Sequence, residues 1–149
     1  MTKLKEGMKA PAFSATNEEG KLISLSDYKG KKLVLYFYPQ DDTPTCTDEA
    51  CNLRDNYKSF LKKGYSILGC SPDKEKKHRK FIDKFKLPFS LLADPDLVMA
   101  KAYDVWGEKQ LFGRNYMGIL RTTFVIDEKG KIEKIIDKVV SKKHTEQIL

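Results

Sequence analysis

Residues 32–38 (KLVLYFY) constrain the fold more than any other segment. Apart from Lys32 the run is wholly aliphatic and aromatic, so as a strand it must be covered on both faces, and Pro39 ends it. Such a strand belongs in the middle of a sheet with helices packed on it. In sheets of that kind, binding and catalytic groups collect where the chain leaves the carboxyl end of a central strand. The loop after Tyr38 is therefore the first place to look for chemistry.

The remaining pattern alternates. Residues 13–16 and 21–24 flank Asn17-Glu18-Glu19-Gly20 and predict an N-terminal β-hairpin. Over 46–63, Ala50, Leu53, Tyr57, Phe60 and Leu61 recur at helical spacing, which predicts one amphipathic helix stopped by Gly64. Residues 65–70 (YSILGC) predict a second buried strand, and Ser71-Pro72-Asp73 opens a helix running to about residue 86. An extended segment over 87–93 and a short helix to about residue 103 follow. Residues 122–127 and 131–138 predict two strands around Glu128-Lys129-Gly130, and 144–149 begin a last helix. The sum is an α/β chain with a mixed central β-sheet flanked by helices. With 149 residues, no repeat and no Gly/Ser/Pro-rich linker, one domain over 1–149 is expected.

The charge balance is +7, from 28 Lys and Arg against 21 Asp and Glu. A basic protein invites a nucleic-acid reading. The lysines are scattered, however, and the one basic run, residues 74–80 (KEKKHRK), precedes Phe81, Ile82 and Phe85 at helical spacing. It is the solvated face of a helix, and no nucleic-acid partner is expected. No apolar run approaches the roughly 20 residues of a membrane span, and the first residues lack a secretory leader, so the cytoplasm is the expected compartment. Three cysteines, Cys46, Cys51 and Cys70, are too few and too odd in number for a secreted disulfide framework. Cysteine chemistry here should be reactive.

Cys46 ends the loop PQDDTPTC, in the first turn of the predicted helix. There the unpaired N–H groups and the positive end of the helix dipole converge, a setting that lowers thiol pKa values. Thr45, Thr47 and Asp48 beside it are polar, and it falls outside the apolar stripe, so it reads as a poor core position. Cys70, inside YSILGC, reads as inert packing. Cys51 lies five residues after Cys46, which on an ideal helix separates the Cα atoms by roughly 8 to 9 Å. A disulfide needs less than about 7 Å, so the two thiols can join only if the first turns unwind. A zinc site is disfavoured, since neither His78 nor His144 has an evident relation to the pair, and no CxxC motif is present.

These residues resemble the peroxiredoxins, whose loop signature is Pro-x-x-x-Thr/Ser-x-x-Cys. Pro39, Thr43 and Cys46 match every fixed position, and Arg121 in GILRTTFVID matches the family's later arginine. The resemblance runs from MKAPAF through LLADPD and YDVWGEK to FVIDEKGKI. The Cys46 and Cys51 spacing is similar to that of the bacterioferritin comigratory protein or peroxiredoxin Q group. The resemblance implies a thioredoxin-like fold and reduction of hydrogen peroxide and organic hydroperoxides at Cys46. It also implies a Cys46 to Cys51 disulfide, recycling by thioredoxin or a similar dithiol reductant, no cofactor, no metal, and a monomer.

By the same match, the Thr43 hydroxyl, the Cys46 N–H and the Arg121 guanidinium hold the peroxide and polarise its O–O bond. Pro39 shields the thiolate, and Glu49 orients Arg121 through a carboxylate fork. A lowered thiol pKa raises the thiolate fraction some tens-fold at most and weakens its nucleophilicity. Donors aimed at the peroxide oxygens must supply the rest. A thioredoxin-fold thiol–disulfide carrier without peroxidase activity is the alternative, disfavoured by the missing CxxC and by Thr43 and Arg121. A basic binding module built on residues 74–80 stands further back.

Overall fold

A computed structural model describes residues 1–149. β1 (Ser14–Thr16) and β2 (Leu22–Ser24) form the N-terminal antiparallel hairpin. β3 (Lys32–Phe37) leads into α1 (Pro44–Asp55) and α2 (Tyr57–Lys62), then β4 (Tyr65–Ser71) and α3 (Glu75–Phe85). β5 (Ser90–Ala93), α4 (Val98–Ala102), β6 (Trp106–Leu111), β7 (Arg114–Ile119), β8 (Thr122–Ile126), β9 (Ile132–Ile136) and α5 (His144–Ile148) complete the chain.

The five-stranded sheet has the order β5-β4-β3-β8-β9. β3 pairs in parallel with β4 and antiparallel with β8, so the apolar run of the sequence is the central strand. Its residues alternate between two cores, as a pleated strand covered on both sides requires. Leu33, Leu35 and Phe37 pack with Met99, Tyr103 and Phe124 on one face. Val34, Tyr36 and Tyr38 pack with Ala50, Leu53, Phe60 and Phe81 on the other. Gly69 of β4 leaves room for the Tyr36 ring, because a Cβ there would meet that ring at 2.9 Å and Leu91 at 2.6 Å. No helix is long and apolar enough to cross a membrane.

Three expectations change. The helix over 46–63 is two helices broken at Asn56, whose side chain donates to the Asn52 carbonyl. Leu61, placed on the apolar stripe by its spacing, is exposed after that break. The unassigned stretch before Arg121 folds as the β6–β7 hairpin, closed by Phe112 and Gly113, both at positive φ. The hairpin exposes Leu111, Phe112, Tyr116 and Met117, an apolar surface that no periodicity in the sequence announced.

Candidate active site

The chain leaves β3 at Tyr38 and turns back through residues 39–43 into α1, at the sheet end where chemistry was expected. Asp42 adopts a left-handed backbone, φ 61°, and Thr43 is the extended residue that caps α1. Pro44 occupies the first helical position, where its missing N–H costs nothing. Inside this turn, Asp41 is fully buried: the Tyr38 hydroxyl donates to its Oδ1, and His78 Nδ1 lies 2.6 Å from its Oδ2. His78 Nε2 donates to the Leu92 carbonyl at 2.9 Å, so the loop is tied to α3 and β5. Asp41, Asp73 and His78 bring possible ligand atoms within 4.8 Å of one another. Both nitrogens of His78 are already engaged, which makes the cluster an anchor and a poor cation site.

α1 turns one side inward, with Cys46, Glu49, Ala50 and Leu53 all buried. Cys46 is therefore a core position after all, 1% exposed. What the local sequence could not show is the group that makes a polar face tolerable there. Arg121, in the turn between β7 and β8, donates from Nη1 to Glu49 Oε1 at 2.6 Å and from Nη2 to Cys46 Sγ at 3.1 Å. The expected Glu49 fork is thus shared: one arm of the guanidinium holds the carboxylate and the other is free to hold sulfur. Burial works against the Arg121 charge, but Glu49 and Cys46 outweigh it and raise its pKa.

The Cys46 N–H is among the unpaired donors of the first helical turn. The Thr43 hydroxyl donates to the Gln40 carbonyl at 3.1 Å, which leaves its oxygen lone pairs able to accept from a ligand O–H. Pro39 is half-buried beside them. The structure thus brings Cys46, Glu49 and Arg121 into direct contact and puts Thr43 and Pro39 on the connecting turn. Cys51 stands apart, part-buried further along α1, with all three cysteines as free thiols. Burial raises the Cys51 pKa, against the pull of Arg54. Cys70 is buried against Met99, and burial holds its pKa well above the usual thiol range.

Three neighbours escaped the sequence reading. His144 Nε2 lies 3.3 Å from Glu49 Oε2, Lys109 of β6 sits close enough for Arg121 to depress its pKa after burial, and Asn52 bonds α1 to α5. Their positions, some 50 to 100 residues from Cys46 for the first two, carry no local signal. A cavity of about 720 Å³ opens beside Leu33 and Ile126, at the other end of β3, and contains none of these residues.

Residues 7–135 match the AhpC/TSA family model. The chain is 49% identical over 143 residues to peroxiredoxin Bcp of Bacillus subtilis, covering 96% of this chain and 91% of that protein. It is 42% identical to peroxiredoxin Bcp of Escherichia coli K12, over 100% of this chain and 96% of the relative. Among solved structures, peroxiredoxin Q of Xanthomonas campestris superposes with a TM-score of 0.89 at 33% identity, over 96% and 93% of the two chains. A mutant of Xylella fastidiosa PrxQ reaches 0.93 at 30% identity, over 99% and 94%. With the cysteine and threonine of the loop signature and the later Arg121 at the end of a thioredoxin-like sheet, this chain belongs to the AhpC/TSA family and is a peroxiredoxin, a thiol-dependent peroxidase.

Proposed function

We propose that Cys46 reduces hydrogen peroxide and organic hydroperoxides within a single thioredoxin-like domain over residues 1–149. The observation that carries this is the Arg121 guanidinium, bonded at once to Cys46 Sγ and to Glu49. The Cys46 thiolate attacks the terminal peroxide oxygen, forming the S–O bond of a sulfenic acid as the O–O bond breaks. The departing oxygen takes a proton and leaves as water or an alcohol. Arg121 and the Cys46 N–H stabilise the charge that moves onto the oxygens, the Thr43 oxygen accepts from the peroxide O–H, and Pro39 keeps water off the sulfur. A trapped-ligand study of the Xanthomonas campestris bacterioferritin comigratory protein concerns its alkyl peroxide reduction, which supports including organic substrates.

Cys51 then condenses with the sulfenic acid, forming a disulfide and releasing water. Cys51 lies five positions after Cys46 on α1, so the helix must unwind over residues 46–51 for the thiols to meet. A dithiol such as thioredoxin reduces the disulfide and returns both thiols, as in a reducing cytoplasm, and the protein acts as a monomer. The test is to follow peroxide consumption with a thioredoxin system or dithiothreitol as reductant. Turnover that requires Cys46 supports the reading. Reduction of insulin disulfides without peroxide consumption would favour a disulfide carrier instead.

A further inference from the structure

Gln147 of α5 fixes the protonation of a histidine that stands behind Arg121. Its side-chain nitrogen donates to the Lys138 carbonyl at 2.9 Å, and its Oε1 accepts from the Val140 N–H at 2.9 Å, so the amide can point only one way. The same Oε1 lies 2.8 Å from His144 Nδ1. An amide oxygen only accepts, so Nδ1 carries a proton, and in a neutral imidazole Nε2 is then a lone pair. Nε2 lies 2.7 Å from the Thr123 hydroxyl and 3.3 Å from Glu49 Oε2.

Both side chains are fully buried, and Glu49 Oε2 has no hydrogen-bond partner. The Thr123 hydroxyl can donate to the Nε2 lone pair, but an ionised Glu49 would set a second acceptor, Oε2, against it with no donor of its own, an arrangement that costs the desolvation of a buried carboxylate oxygen. One added proton removes the conflict, whether it sits on the carboxyl and is donated to Nε2 or sits on Nε2 and is donated to Oε2. Burial pushes Glu49 up to about 7, against the pull of Arg121, and pulls His144 down, so each group alone resists its charged form.

We propose that Glu49 and His144 share one proton in the reduced protein, and that His144 is thereby a positioning residue that sets how much of the Arg121 charge is left for Cys46. With the proton in place, the full Arg121 charge faces the Cys46 thiolate. Without it, Glu49 and Cys46 are two anions competing for one guanidinium. The other groups facing the pair are Tyr36 of β3, whose hydroxyl is buried without a partner, and Lys109 of β6. Lys134 of β9 donates to the last carbonyls of α5 and holds that helix in place. The positioning role rests on the peroxidase reading, whereas the shared proton does not.

Two readouts keep them apart. Nitrogen-15 NMR of histidine-labelled reduced protein is followed from about pH 5 to pH 8, the range in which imidazoles titrate. His144 is expected to keep its Nδ1 proton throughout, with one step in the Nε2 signal near neutrality that disappears in Glu49→Gln. Oxidation of Cys46 by one equivalent of peroxide, timed over the same range, should slow several-fold as pH rises across that step. Glu49→Gln and His144→Gln should both lose the slowing. An Nε2 step that persists in Glu49→Gln, or a His144 lacking the Nδ1 proton, overturns the shared proton. A slowing that persists in Glu49→Gln overturns the positioning role. A coupled NMR step in a protein that does not react with peroxide overturns that role through the peroxidase reading itself.

Discussion

Cys46 and Cys70 are equally hidden, each 1% exposed, and each lies near the same end of the sheet. Their surroundings differ in one respect. The Cys70 thiol meets the Met99 sulfur at 3.8 Å, and burial, with the Asp94 charge added to it, keeps it protonated. Cys46 meets a guanidinium at 3.1 Å, whose other arm is fixed by Glu49. Burial in an apolar core silences a thiol, and burial with a counter-charge aimed at it makes a site. The second case also excludes water, so donors aimed at a bound peroxide act at greater strength.

The largest test of that contrast is to remove each sulfur in turn: Cys46→Ser should abolish peroxide turnover, while Cys70→Ala should retain it. Next comes the counter-charge. Arg121→Gln removes a positioned donor and should lower the rate of Cys46 oxidation by about 10²- to 10³-fold, read by stopped-flow mixing with peroxide. Stability probes the same group from behind. With Glu49 at about 7 in the folded protein and 4.5 as its ordinary value, the folded state holds a proton that the unfolded chain releases between those values. Stability therefore falls as pH rises through this window, by up to about 3 kcal/mol, and levels off above it. Urea titrations of wild type and Glu49→Gln should diverge by that amount, with wild type losing ground at higher pH.

Cys51→Ser should leave the first oxidation of Cys46 intact but slow steady turnover about tenfold or more, with sulfenic acid accumulating, as mass spectrometry can follow. The smallest effect belongs to Cys70→Ala, about 1 kcal/mol of stability with no change in the oxidation rate. A Cys70 variant slowed as much as Arg121→Gln would erase the distinction between the two thiols.

The legible parts of this site are local in sequence. Pro39, Thr43 and Cys46 fall within eight residues that follow an unmistakable central strand, and the strand's apolar run located them. Glu49 and Arg121 were legible through family resemblance, since nothing near Arg121 in sequence states that it faces α1. The burial of Cys46 was not legible, because its immediate neighbours are polar and its cover comes from a residue 75 positions away. His144 and the Asp41–His78 anchor were hidden for the same reason: the register of β3 with β8 and the packing of α3 and α5 bring them in. The β6–β7 hairpin lacks the alternation and the Asn-Gly turn that announce hairpins, and closes on Phe112 and Gly113.

The most direct measurement adds one equivalent of hydrogen peroxide to the fully reduced protein, alkylates the remaining thiols and maps the peptides by mass. The expected result is a Cys46 to Cys51 disulfide with Cys70 alone alkylated. Alkylation of all three cysteines after prolonged exposure would contradict it, because Cys46 would then be buried beside Arg121 without being a peroxide-reactive thiolate.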